Sequence, residues 1–313
     1  MTVAALEPPV SFPEREHQAR ALVAPIAALF PFAPRFHDHG GVVQHYVDEG
    51  PRSAETLLFL HGNPTWSFAW RRSILALSDR WRCVAPDHVG MGLSDKPRDY
   101  PYRLERHVEN LERLVLALDL EAITLVMHDW GGPIGMGFAR RHPGRVRALV
   151  VSNTAAFRAR RLPLRLAACR VPFLGTLAIQ GFNAFVRGAA HMAVEKRLQG
   201  DVRAGYALPY HGWTNRGATR AFVEDIPLAP GHPSHAELSV IEAALPTFAD
   251  RPVALLWGER DWCFGPAFLE EWRRRFPHAS VRCFEEAGHW VFEDEPAGYV
   301  EALEDFLEGS AER

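Results

Sequence analysis

Apolar positions along this chain follow two rhythms. Short, nearly continuous apolar runs occur at Thr56–Leu60, Arg82–Pro86, Ile123–His128 and Arg147–Ser152. They have the length of strands buried on both faces. Between them, stretches near 68–78, 105–118 and 132–142 repeat their apolar residues at three- and four-residue spacing, which predicts helices with one buried face. Val42–Val47 alternates like an early hairpin strand. Alternating strands and helices predict an α/β fold, a mostly parallel sheet with helices on both faces. Ligands in such sheets bind beyond the carboxyl ends of the strands. The rhythm stops after Asn153, and from Thr154 to Ala249 the chain reads as helical and irregular. Strand candidates resume with Val253–Trp257 and Val281–Phe284. The expected organisation is a core in two parts, 1–153 and 250–313, with a helical cap at 154–249 inserted between them.

The strand ends carry the chemistry. Ile123–Asp129 is a β-branched run that ends in an acid, followed by Trp130, Gly131 and Gly132 and then an amphipathic stretch. Asp129 therefore sits on a tight strand-to-helix turn, where the α/β-hydrolase architecture exposes its nucleophile within a G-x-S-x-G pattern. Here aspartate takes the serine position, Gly131 keeps the close helix approach, and Met127 replaces the first glycine. Taken alone, Asp129 could equally be a helix N-cap. Three further strand ends supply the context: His61-Gly62-Asn63-Pro64, Gly258-Glu259-Arg260-Asp261 and Gly288-His289-Trp290. Nucleophile, acid and histidine then follow the α/β-hydrolase chain order.

A carboxylate nucleophile attacks carbon directly and forms an ester, and it needs no base to ionise it near neutral pH. His289 is then free to deprotonate a water or to manage protons later. Asp261 is the acid chosen to orient His289, because Asn153 at the end of the preceding strand carries no charge and Glu259 is expected to point elsewhere. Backbone N–H groups of Asn63 and Trp130 are expected to form the oxyanion hole. Their side-chain amide and indole N–H groups add two donors suited to an anionic leaving group. The simpler alternatives are a core histidine at 289, a packed indole at 130 and an Asn-Pro turn at 63. His128 is expected to point away from Asp129 and to be structural. The glycine-punctuated loop from Pro86 to Asp95 lacks the form of a nucleotide site.

Bulk properties narrow the field. The chain has 313 residues, 47% apolar and 23% charged, with a net charge of −3 and no basic field for nucleic acid. Its 15 histidines and 4 cysteines show no metal-site spacing, so no metal or cofactor is expected, and the cysteines read as reduced intracellular thiols. The N-terminus lacks the features of a secretory leader. The uncharged stretch Ala21–Pro34 is short for a membrane span and holds Pro25, Pro31 and Pro34, though it could still lie on a surface or line a pocket entrance. A cytoplasmic protein is expected. Between Arg158 and Arg203 the cap carries nine basic and two acidic residues. A solvated helical face is the simpler reading, and a surface for an acidic partner or for peripheral membrane contact is the sharper one.

HGNPTWS at 61–67, HDWGG at 128–132, WGERD at 257–261 and GHWVFEDEP at 288–296 resemble the haloalkane dehalogenase branch of the α/β-hydrolases. LFPFAPRF at 29–36, GFNAF at 181–185, DIPLAP at 225–230 and ALPTFADRP at 244–252 extend a resemblance to the β-lactone decarboxylases of bacterial long-chain olefin biosynthesis. That resemblance implies conversion of cis-3,4-dialkyl-oxetan-2-ones to cis-alkenes and carbon dioxide. By it, Asp129, Asp261 and His289 form the catalytic set, while Asn63 and Trp130 hold the leaving group. It also implies a long-chain dialkyl β-lactone substrate and a β-lactone synthetase as partner. A haloalkane dehalogenase and a non-catalytic binding protein on the same scaffold are the alternatives.

Overall fold

The computed structural model describes residues 10–159, 163–171 and 174–311. Residues 1–9, on which the reading of the N-terminus partly rests, lie outside the described residues, as do Arg160 and Arg161 of the basic stretch. Eight strands are ordered in the chain as β1 (Arg35–Asp38), β2 (Val43–Glu49), β3 (Thr56–Leu60), β4 (Arg82–Pro86), β5 (Ile123–Asp129), β6 (Val146–Thr154), β7 (Val253–Gly258) and β8 (Ser280–Phe284). They form one sheet in the spatial order β1-β2-β4-β3-β5-β6-β7-β8. β1 and β2 pair antiparallel at one edge, and β3 through β8 run parallel.

The apolar runs become strands because helices cover both faces. Leu57, Leu58, Phe59 and Leu60 have no exposed surface. The covering helices of the first half are α1 (Phe12–Val23), α2 (Arg71–Leu77), α3 (Leu104–Ala117) and α4 (Gly131–Arg141). In α3 the buried residues Leu104, Val108, Leu111 and Val115 recur at three- and four-residue spacing and put one stripe on the sheet. The segment between β6 and β7 holds α5 (Leu164–Cys169), α6 (Leu174–Thr176), α7 (Ala184–Met192), α8 (Gly200–Ala207), α9 (Gly217–Glu224) and α10 (His235–Ala244). α11 (Pro266–Arg275), α12 (Val291–Asp294) and α13 (Pro296–Ala311) complete the chain.

The segment Ala21–Pro34 is divided between core and surface. Val23, Ile26, Phe30 and Phe32 are buried in the main core, and the Phe30 ring lies 4.9 Å from that of Trp66. Ala24, Pro25, Ala27, Ala28 and Pro31 are exposed, and Leu22 lines a surface pocket. Among the described residues no helix is long and apolar enough to cross a membrane.

Chain connectivity places the site. β3 pairs with β4 on one side and β5 on the other, so the strand order reverses there. The crevice at such a switch point lies at the carboxyl ends of β3 and β5. Those ends carry Asn63 and Asp129.

Candidate active site

Asp129 closes β5 with φ at +48°, in the left-handed region that side chains rarely adopt. The turn is held on several sides. Thr154 Oγ1 donates to the Asp129 carbonyl, Gly131 lies against the Leu60 carbonyl, and Gly62 lies directly beneath the Asp129 side chain with no room for a Cβ. Met127, the departure from the elbow pattern, is fully buried in the sheet.

The carboxylate is already oriented. The Asn63 backbone N–H donates to Asp129 Oδ1 at 2.7 Å, and the neighbouring Trp130 backbone N–H favours the ionised form. One of the two expected oxyanion donors, the Asn63 N–H, therefore holds Asp129 itself, and Oδ2 has no hydrogen-bond partner among the described residues. Burial pushes the Asp129 pKa up, and His289 with the two N–H groups offsets only part of the rise, so the carboxyl stays above its ordinary range.

His289 and Asp261 meet as expected. His289 Nδ1 lies 2.8 Å from Asp261 Oδ2, and Nε2 lies 3.9 Å from Asp129 Oδ2. Burial alone would lower the His289 pKa, but the Asp261 and Asp129 carboxylates outweigh it and hold it above the usual imidazole value. Asp261 Oδ1 accepts the Cys263 backbone N–H at 2.6 Å. Glu259 is exposed.

Asn153 has a role that its lack of charge concealed. It sits at φ +40°, exchanges hydrogen bonds with the Gly258 backbone, and donates Nδ2–H to Asp261 Oδ2 at 2.9 Å. The amide thus locks the acid that locks the histidine. The buried His128 donates Nε2–H to the His289 carbonyl at 2.9 Å, which anchors the catalytic loop from behind. His61 and His88 are bonded to each other, and His61 Nδ1–H donates to the Gly62 carbonyl at 2.8 Å. Burial lowers both their pKa values, so this pair is a neutral brace for the Gly62–Asn63 turn. Asp87 accepts the Ser67 and Leu93 backbone N–H groups, each at 2.7 Å, so the Pro86–Asp95 loop is scaffold.

The side chains of Asn63 and Trp130, the two expected leaving-group donors, are placed differently. The Asn63 amide nitrogen donates to the Thr219 carbonyl of α9 at 2.9 Å, so one of its two N–H groups is held by the α9 carbonyl and the other is free for an anion. The Trp130 indole N–H has no hydrogen-bond partner among the described residues, and the indole lines the cavity. Two apolar cavities open from Asp129 and Trp130. Cys263 and Ile226 line both. Residue spacing carried no signal for either, because their position depends on how α9 to α11 fold back over the sheet.

The loop that carries His289 and the segment between β6 and β7 are held together. The Asp294 carboxylate accepts backbone N–H groups from Glu195, Lys196 and Gly288, and the Trp290 N–H donates to the Ala193 carbonyl at 2.7 Å. Glu293 receives the Arg71 guanidinium and, at 2.6 Å, the Tyr206 hydroxyl of α8.

A family model described as alpha/beta hydrolase fold matches residues 55–296. A cis-3-alkyl-4-alkyloxetan-2-one decarboxylase of Xanthomonas campestris is 44% identical over 89% of this chain and 97% of that protein. One of the same name from Shewanella oneidensis is 42% identical over 89% of each. Haloalkane dehalogenase 2 of Mycobacterium tuberculosis is 34% identical over 89% of this chain and 96% of that protein. Among solved structures, the haloalkane dehalogenase DbeA of Bradyrhizobium elkani superposes with a TM-score of 0.82 at 27% identity, covering 90% of this chain and 99% of that one.

Proposed function

The chain belongs to the α/β-hydrolase family, in its haloalkane dehalogenase-like branch, and from that premise we propose that it decarboxylates cis-3-alkyl-4-alkyl β-lactones to cis-alkenes. The observation that carries the reading is a carboxylate with one oxygen pinned by the Asn63 backbone N–H and its side chain lining an apolar cavity. The greater identity to the two decarboxylases than to the dehalogenase supports the choice between the two activities.

Asp129 Oδ2 attacks ring carbon C4, and the C4–O bond breaks with its electron pair on the departing carboxylate. The Trp130 indole N–H and the free Asn63 amide N–H receive that anion. The bond from C3 to the carboxylate carbon then breaks. Its electrons form the C3–C4 double bond, and the ester electrons return to Asp129 as carbon dioxide leaves. No water is consumed. Inversion followed by anti elimination yields a cis alkene from a cis lactone. Attack at the carbonyl would give a mixed anhydride instead, and mass spectrometry of an adduct trapped on Asp129 distinguishes the two.

The dehalogenase reading keeps one specific support: His289 Nε2 stands 3.9 Å from Asp129 Oδ2, near enough to take a proton from a water attacking the ester. Purified protein given a cis-dialkyl β-lactone and, separately, a bromoalkane decides between them. Alkene release faster than bromide release is expected, and the reverse would overturn the assignment. We place residues 154–249 as a cap over the two core parts and the reaction in cytoplasmic long-chain olefin synthesis. The basic stretch is the face offered to a β-lactone synthetase or, failing that, to an anionic membrane. Arg187 and Arg197 are exposed on it. Co-purification from the native host without any synthetase would count against the first.

A further inference from the structure

The cavity forks at the nucleophile, and we propose that each arm takes one alkyl chain of the lactone, the C3 chain in the arm that contains Asn63 and the C4 chain in the other. This rests on the substrate class inferred above. The first arm runs past Leu104, Pro133, Phe157, Leu238 and Phe268, between the core helices α3, α4 and α11. The second runs past Ile179, Phe185, Ala189 and Met192 beneath α7, and it alone includes Asn63 and His289. Only Asp129, Trp130, Ile226 and Cys263 belong to both, so Ile226 and Cys263 stand at the fork.

A lactone substituted on neighbouring ring carbons presents two chains that part at the ring, and a single-chain substrate would fill one arm only. The chemistry then sets which chain goes where. When the C4–O bond breaks, the new carboxylate remains attached to C3. Its donor Asn63 lines the second arm and is absent from the first. C3 and its chain therefore lie on the Asn63 side, and C4, over Asp129 Oδ2, directs its chain past Phe157 and Leu238. Both walls are apolar, as two methylene chains require.

The test uses two regioisomers, cis-3-methyl-4-octyl and cis-3-octyl-4-methyl oxetan-2-one, with alkene formation as readout. Ala155→Phe narrows the first arm and Ala189→Phe the second. The quantity read is the ratio of kcat/KM for the two lactones, which cancels the fraction of active protein. Ala155→Phe should shift it against the 4-octyl isomer, and Ala189→Phe against the 3-octyl isomer, each by about tenfold or more. If Ala155→Phe yields no cooperative thermal transition, Ala155→Leu is read in its place. Shifts in the same direction, or ratios within twofold of the parent, would overturn the two-arm assignment while leaving the lactone reading standing. Shifts with both signs reversed would overturn the placing of C3 beside Asn63. A parent protein that releases bromide but makes alkene from neither lactone would sink the substrate class itself.

Discussion

Strand β5 and helix α7 line the same cavity but are built differently. Every residue of β5 before Asp129 is buried, and its register is pinned by parallel neighbours on both sides. α7 buries only Val186 and Ala190, leaves Met192 44% exposed, and follows Phe182 at 68%. A strand enclosed by a sheet cannot shift without breaking ladders on both sides, so it holds a nucleophile at a fixed angle. A helix held by a few side chains can vary its inner face at little cost. One wall of the cavity is thus fixed by the sheet, and another is formed by a helix that packs through few side chains. The hydrogen bonds through Asp294 and Glu293 tie the segment between β6 and β7, which holds α7, to the loop that carries His289.

Replacing Asp129 by Asn tests the core side most severely. Alkene formation should fall about 10⁴-fold or more, measured as steady-state turnover with residual native protein excluded. The same change should stabilise the fold near neutral pH by roughly 1 kcal/mol. The sign follows from the raised pKa of Asp129. Its ionised form is disfavoured in the native state, so the carboxylate costs stability above its unfolded pKa, and the cost is relieved as pH falls through the native value. A loss of urea stability in the variant would contradict this account.

His289→Gln separates the two chemistries. Bromide release should fall about 10²–10⁴-fold, because ester hydrolysis needs a base, whereas alkene formation should fall by clearly less. Equal losses in the two assays would show that water enters the lactone reaction. Asn63→Ala and Trp130→Phe should each lower alkene formation about 10²-fold, seen mainly in kcat. An effect confined to KM would mean that these groups bind the ring before reaction and not the departing anion.

The junction between α8 and the loop that carries His289 comes next. Glu293→Gln leaves the buried Arg71 without its counter-charge and should cost about 3–5 kcal/mol in urea unfolding. Acid titration of kcat/KM gives a gentler effect. The acid limb should lie above the ordinary carboxylate value of about 4, since Asp129 must be ionised to attack and its pKa is raised. Activity is lost as pH falls through that limb. At the cap's outer face, Phe182→Ser should change stability by less than about 0.5 kcal/mol, since that ring is already largely in water.

The apolar rhythm was enough to find β2 to β8 and helices α2 to α4, because a strand covered on both faces is apolar nearly throughout and a helix covered on its inner face keeps a period of 3.6. The edge strand β1 escaped it: Arg35–Asp38 is short, half-exposed and polar, and it is a strand only because β2 offers a free edge. α11 and α13 also lie where the pattern reading names no element. Asp129, Asp261 and His289 were legible because each stands just past a strand with a glycine nearby. Asn153 was read only for the charge it lacks, and no local pattern says that its amide would reach Asp261 across two strands.

Local sequence therefore determined the order of strands and helices and the reactive side chains at their ends, since both depend on spacing along a few residues. Tertiary structure decided the rest: that the Asn63 backbone N–H holds the Asp129 carboxylate, that Val23, Ile26, Phe30 and Phe32 enter the core, and that the cavity divides in two. Each of those depends on groups distant in sequence brought within a few ångströms by packing, and periodicity along a chain carries no record of such distances.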